Sequence, residues 1–116
     1  MRLEQWLFWD SVLSGEWCNE FVKNVLDIYD AQEPKLRLVN ENQDPDPNFR
    51  MCEIRWLAID KEKVLVDLLM GYANMANRET FDINAKWINE MQFATYKGSE
   101  LQEEQGKYGW HSDVDF

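Results

Sequence analysis

No apolar run in this chain approaches the ~18 residues that a membrane-spanning helix needs. The first residues carry Glu4 and Asp10 and no long apolar stretch, which is unlike a secretory signal. Positive charge is scarce. Twelve Lys and Arg stand against 22 Asp and Glu, for a formal net charge of -10. No basic cluster exists to neutralise phosphates, so neither nucleic acid nor an anionic membrane surface is expected as a partner. Cysteine is limited to Cys18 and Cys52. With no cysteine framework and no secretory signal, two reduced, buried thiols and a cytoplasmic location are expected. There is no N-x-Ser/Thr acceptor and a single histidine, His111.

What is present is ordinary for a folded domain. Hydrophobic residues make up 45% and charged residues 29% of 116, which excludes a disordered chain. That length allows one domain, residues 1–116, with one core. Aromatics are plentiful at 14%, six of them Trp. Core filling is the plainer reading of the tryptophans, and an aromatic wall over a substrate the more specific one.

The pattern predicts a first strand over 5–9, then a helix over 17–29. Ser14 would cap that helix, and Trp17, Cys18, Phe21, Val22, Val25, Leu26 and Tyr29 would form its apolar face. A short strand is expected over 36–39 and a loop over 40–48, where Asp44-Pro45-Asp46-Pro47 stands. Residues 51–57 alternate, with Cys52, Ile54 and Trp56 on one face and Glu53 and Arg55 on the other, which predicts a half-buried strand. Asp60 would cap a second helix over 61–75. A turn near Asp82, a long strand over 87–97, an acidic loop over 98–107 and a final strand over 108–116 complete the expectation. The fold class expected is α+β, with the two helices packed outside a mainly antiparallel sheet.

One constellation carries chemistry. His111 and Asp113 are two residues apart, and on a strand both side chains leave the same face. An imidazole and a carboxylate so placed can hold one metal ion, as two-thirds of a 2-His-1-carboxylate iron site. The bare pair is a weak signal, because ten of the 116 residues are Asp. Its surroundings are more specific. A segment Gln92-Phe93-Ala94-Thr95-Tyr96 comes first, then a loop with Gly98 and Gly106, then Tyr108-Gly109-Trp110-His111-Ser112-Asp113. On a regular strand Gln92, Ala94 and Tyr96 share a face that suits a polar cavity. Tyr108 and Trp110 would point away from His111, toward core or outer wall.

From 91 to 116 this arrangement resembles the 2-oxoglutarate/Fe(II)-dependent dioxygenases, specifically the prolyl-4-hydroxylase-like (PKHD-type) hydroxylases. The resemblance is weaker over 10–77. It implies that the sheet belongs to a double-stranded β-helix (jelly-roll) core, incomplete in this chain. It further implies that His111 and Asp113 are iron ligands and that Tyr96 hydrogen-bonds a carboxylate of the cosubstrate 2-oxoglutarate. The reaction implied is hydroxylation of a peptide side chain or small molecule, coupled to oxidative decarboxylation of the 2-oxo acid to succinate. The family's second histidine ligand and its carboxylate-pairing basic residue lie downstream of the motif. His111 is the only histidine here, so the chain is expected to be the N-terminal part of an oxygenase domain, inactive alone. A competing expectation is a non-catalytic, acidic and aromatic-rich interaction module with an incidental His-x-Asp. A zinc hydrolase or cupin-like site is disfavoured, since no His-Glu-x-x-His or Cys/His set occurs.

Overall fold

The computed structural model describes residues 6–33, 50–83, 85–101 and 105–111. The expected strand over 36–39, the loop over 40–48, Asp113 and most of the final strand lie outside these residues. What is described is a mixed α+β chain: helix α1 (Gly15–Ile28), strands β1 (Arg50–Met51) and β2 (Glu53–Leu57), helix α2 (Lys63–Ala76), a π-helical turn (Asn77–Phe81), and strands β3 (Met91–Thr95) and β4 (Lys107–Tyr108). By internal contacts it forms two compact units. The first is Met1–Tyr29 with Trp56–Met91, and the second is Asp30–Arg55 with Gln92–Phe116.

In the first unit, α1 begins where the sequence predicts. Ser14 is extended, and its side chain accepts a hydrogen bond from the Trp17 amide at 3.0 Å, satisfying one of the helix's orphan donors. Glu16 in the first turn complements the helix dipole. Trp17 and Phe21, one turn apart, stack at 5.2 Å. Only Val25 on this helix is fully enclosed, while Val22, Leu26 and Ile28 remain exposed.

The second helix starts later than expected. Its N-cap is Glu62 rather than Asp60, and it lacks a side-chain capping bond. The reason lies in Tyr29, whose hydroxyl donates to Glu62 Oε1 at 2.7 Å and accepts from the Ala58 amide at 3.2 Å. Glu62 thus ties the end of one helix to the start of the next instead of capping its own. No residue of α2 is fully buried. The expected burial of both apolar helix faces is therefore met only in part. After the π turn, Asp82 takes a left-handed conformation at φ 50, ending the helical run at the turn the sequence marked.

Several expectations need correction. Residues 6–9 form no strand; Trp6 and Phe8 stack on each other at 5.7 Å and stay exposed. The long strand over 87–97 contracts to Met91–Thr95. The strand over 51–57 is broken at Cys52, and the enclosed residues of β2 are Ile54 and Leu57, three apart. Strict alternation is lost, and Trp56 is exposed. Both cysteines are free thiols, as expected, but neither is buried: Cys18 is exposed and Cys52 half-buried.

In the second unit β1 pairs antiparallel with β4, Arg50 opposite Tyr108 and Met51 opposite Lys107. Strand β2 pairs with β3. Ile54 also exchanges both backbone hydrogen bonds with Gln32, at 2.8 and 2.9 Å. The sheets are two-stranded, and among the described residues the fully buried side chains are Val25, Ile54, Leu57 and Met91.

Tyr29→Phe removes a donor to a carboxylate and an acceptor for an amide, and should cost about 1–3 kcal/mol of unfolding free energy in a denaturant titration. Partial burial, then the bond to Glu62, holds the Tyr29 phenol above its ordinary value of 10.0. The folded state thus keeps the proton longer than the unfolded state does. That contribution is complete below the unfolded value and is lost as pH rises through the folded one. Thermal midpoints should fall as pH rises beyond about 10, and fall less steeply in Tyr29→Phe.

Candidate functional site

The second unit gathers most of the residues that carry the chemistry. The cause is local and steric. Gly106 donates its amide to the Lys97 carbonyl at 2.7 Å, closing the loop that begins after Tyr96. A Cβ on Gly106 would sit 2.6 Å from the Lys97 nitrogen and 2.8 Å from the Tyr96 Cα. Only glycine lets these two backbones approach so closely. The loop itself is tied internally, with Ser99 Oγ accepting from the Leu101 amide and the Gln105 side chain donating to the Ser99 carbonyl.

The crossing sets Tyr96 beside the β1–β4 ladder. Arg50 is the hub. Its Nε–H donates to Cys52 Sγ at 3.3 Å and a terminal N–H donates to Gln92 Oε1 at 2.7 Å. The guanidinium carbon lies 4.2 Å from the centre of the Tyr108 ring, a cation–π contact. Tyr96 is within hydrogen-bonding reach of both Cys52 and Arg50. Partial burial raises the Tyr96 phenol above the ordinary tyrosine value; Cys52 adds to that, and Arg50 pulls it back. For Arg50 burial disfavours the charge, but the Cys52 hydrogen bond and the fields of Tyr108 and Tyr96 more than restore it. A cleft of about 840 Å³ shares Cys52 with this cluster and is lined also by Glu33, Met51, Glu53, Lys97 and Gly106, with neither Arg50 nor Tyr96 on its wall.

His111 joins the same cluster through Tyr108. The two rings are nearly parallel, 3.7 Å apart with an interplanar angle of 11°. Nδ1 of His111 is 2.7 Å from the Gly109 carbonyl oxygen, which can only accept, so Nδ1 carries the proton and Nε2 bears the lone pair of the neutral ring. This is the tautomer in which a metal-ligating histidine is oriented by a backbone carbonyl.

The expected strand placement of His111 is not what forms. Strand β4 ends at Tyr108, and His111 follows a bend. Tyr108 stacks on His111 instead of pointing away from it, and Trp110 is wholly exposed instead of packed. Asp113 lies outside the described residues. Among those residues no three His, Cys, Asp or Glu come close enough to hold a metal ion. The donor chemistry at His111 therefore suits one ligand of a divalent metal, and the described residues bring no group of three such ligands together.

Arg50 and Cys52 were missed by sequence reasoning. Arg50 ends the stretch with the Asp-Pro pairs, and nothing in the linear pattern couples it to residue 96 or 108. The spacing of Arg50 and Cys52, which puts two such residues on one face of a strand, was the only available signal.

No protein-family model, no curated protein and no solved structure matches this chain. No helix among the described residues is long and apolar enough to cross a membrane.

Gly106→Ala should force the Tyr96–Lys97 and Gly106 backbones apart and destabilise the second unit by about 1–3 kcal/mol, the usual cost of overpacking. Amide exchange at Gly106 and at Tyr108 should quicken in that variant, while exchange within α1 stays unchanged.

Proposed function

We propose that the chain is the N-terminal part of a prolyl-4-hydroxylase-like, 2-oxoglutarate/Fe(II)-dependent dioxygenase domain, its strands belonging to a jelly-roll core. His111 and Asp113 are two of the iron ligands, and Tyr96 donates a hydrogen bond to a carboxylate of 2-oxoglutarate. The supporting observation is the convergence of residues distant in sequence. Tyr96 meets Arg50, Arg50 covers Tyr108, and Tyr108 stacks on His111. Bound iron would supply oxygen activation and oxidative decarboxylation. The chain's own residues hold and orient. The Gly109 carbonyl fixes the His111 tautomer, Tyr108 sets the ring plane, and the Tyr96 hydroxyl offers a proton to an anionic oxygen. In this reading the substrate is a peptide side chain or small molecule, neutral or basic, and the compartment is the cytoplasm. The remaining ligand and the rest of the core come from residues beyond these 116.

A second reading is a non-catalytic interaction module. The exposure of Trp6, Trp87 and Trp110 favours it, since large bare aromatics suit a partner surface.

The deciding measurement is succinate release from 2-oxoglutarate, with Fe(II), by the longest protein that contains this chain. Turnover is expected there and none from the 116 residues alone. His111→Ala should abolish turnover and most iron uptake. Tyr96→Phe should weaken 2-oxoglutarate by about 1.5–3 kcal/mol, one hydrogen bond to a charged group, with iron retained. No succinate under any of these conditions, together with intact folding, would leave the interaction module as the reading.

A further inference from the structure

Helix α2 carries a glycine in its interior, Gly71. Glycine there costs helix stability relative to alanine, because its backbone has more freedom to lose. Packing does not demand it, since a Cβ built on Gly71 would meet nothing within 4 Å. What Gly71 does is floor a hollow of about 620 Å³ in the first unit, lined also by Asn74, Asn77, Arg78, Ile83 and Ala85. The way α2 ends makes this hollow. The π turn closes with the Asp82 amide donating to the Asn77 carbonyl at 3.1 Å, and Asp82, left-handed, turns the chain. Ile83 and Ala85 thereby come to share a wall with residues of the helix they have just left. Such π segments are rare and recur at functional sites.

The lining selects a ligand class. Asn74, three residues on from Gly71, shares its helix face. A carboxamide sets a carbonyl acceptor beside two N–H donors, and the Arg78 guanidinium adds a planar fork of donors. A hydroxyl both donates and accepts, so adjacent hydroxyls on one small molecule match this wall. Ile83 and Ala85 offer an apolar edge to C–H groups. Arg78 disfavours a cation here, and the chain's net charge of -10 disfavours an anion. We propose that the hollow on α2 binds a neutral saccharide, and that Gly71 keeps its floor open. The site lies in the first unit and stands apart from the oxygenase reading.

The test titrates the 116-residue chain with glucose, galactose and mannose and with their 6-phosphates. Binding is followed by the Gly71 amide and the side-chain amide resonances of Asn74 and Asn77. At least one neutral sugar should shift all three saturably, with little dependence on salt. Asn74→Ala and Arg78→Ala should each weaken it about fivefold. Gly71→Ala should move two readouts in opposite senses. Its thermal midpoint should rise by a few degrees, while sugar affinity falls at least about fivefold because a methyl occupies the floor. If Arg78→Ala fails to fold, Asn74→Ala and the wild-type resonances decide. The proposal is overturned by no saturable shift with any neutral sugar, by unchanged affinity in Gly71→Ala, or by a 6-phosphate that binds more tightly than its parent sugar. A lowered midpoint in Gly71→Ala also overturns it, since the glycine would then answer to the fold.

Discussion

The candidate site depends on a place where two backbones meet with no side chain between them. Gly106 lies against the backbone of Tyr96 and Lys97 at distances that a Cβ would violate. The hydrogen bond its amide N–H donates to the Lys97 carbonyl locks the approach. From that crossing the chain continues directly into Lys107–Tyr108, the short strand that pairs with Arg50–Met51. Tyr108, just past the loop, thus lies against the guanidinium, and Tyr96, just before it, feels the same charge. The arrangement relies on backbone sterics rather than on a deep core, which fits the few enclosed side chains among the described residues.

Electrostatics and aromatic stacking do the finer positioning. Arg50 is held by a sulfur, an amide oxygen and the face of one aromatic ring, Tyr108, each weaker than an ion pair and each directional. Tyr108 carries this order to His111, because one ring cannot stay parallel to the imidazole and beneath the guanidinium if it tilts. The same economy appears in the first unit. There Tyr29 occupies Glu62, and α2 goes without a side-chain cap in exchange for a tie to α1.

Local signals in the sequence were readable because their causes are local. Ser14 before an amphipathic run marks α1, and the left-handed Asp82 ends the helical run after α2. The alternation around Ile54 marks β2, although a break at Cys52 and the exposure of Trp56 escaped it. Asp60 looked like a cap because it is the expected residue type just before an apolar run. The true boundary moved because Glu62 answers to Tyr29, 33 residues away. In the site, Tyr96 and His111 were visible as a motif, but the Gly109 carbonyl that fixes the tautomer was not, because it depends on the bend that follows β4. Arg50 was not visible, since its partners at 92, 96 and 108 are set by pairing register. The strand expected through His111 failed because β4 stops at Tyr108, where stacking takes over from the ladder.

The ladder of Arg50 with Tyr108 also sets an order of events during folding. It joins residues 58 apart in sequence, so closing that loop costs roughly 3–4 kcal/mol of chain entropy before any contact repays it. Helix α1, by contrast, needs only neighbours one turn away and a serine just before it. Helices can therefore form while the chain is still emerging from the ribosome. The Arg50 cluster cannot exist until Tyr108 has been made, and on gentle unfolding it should be among the first contacts to go.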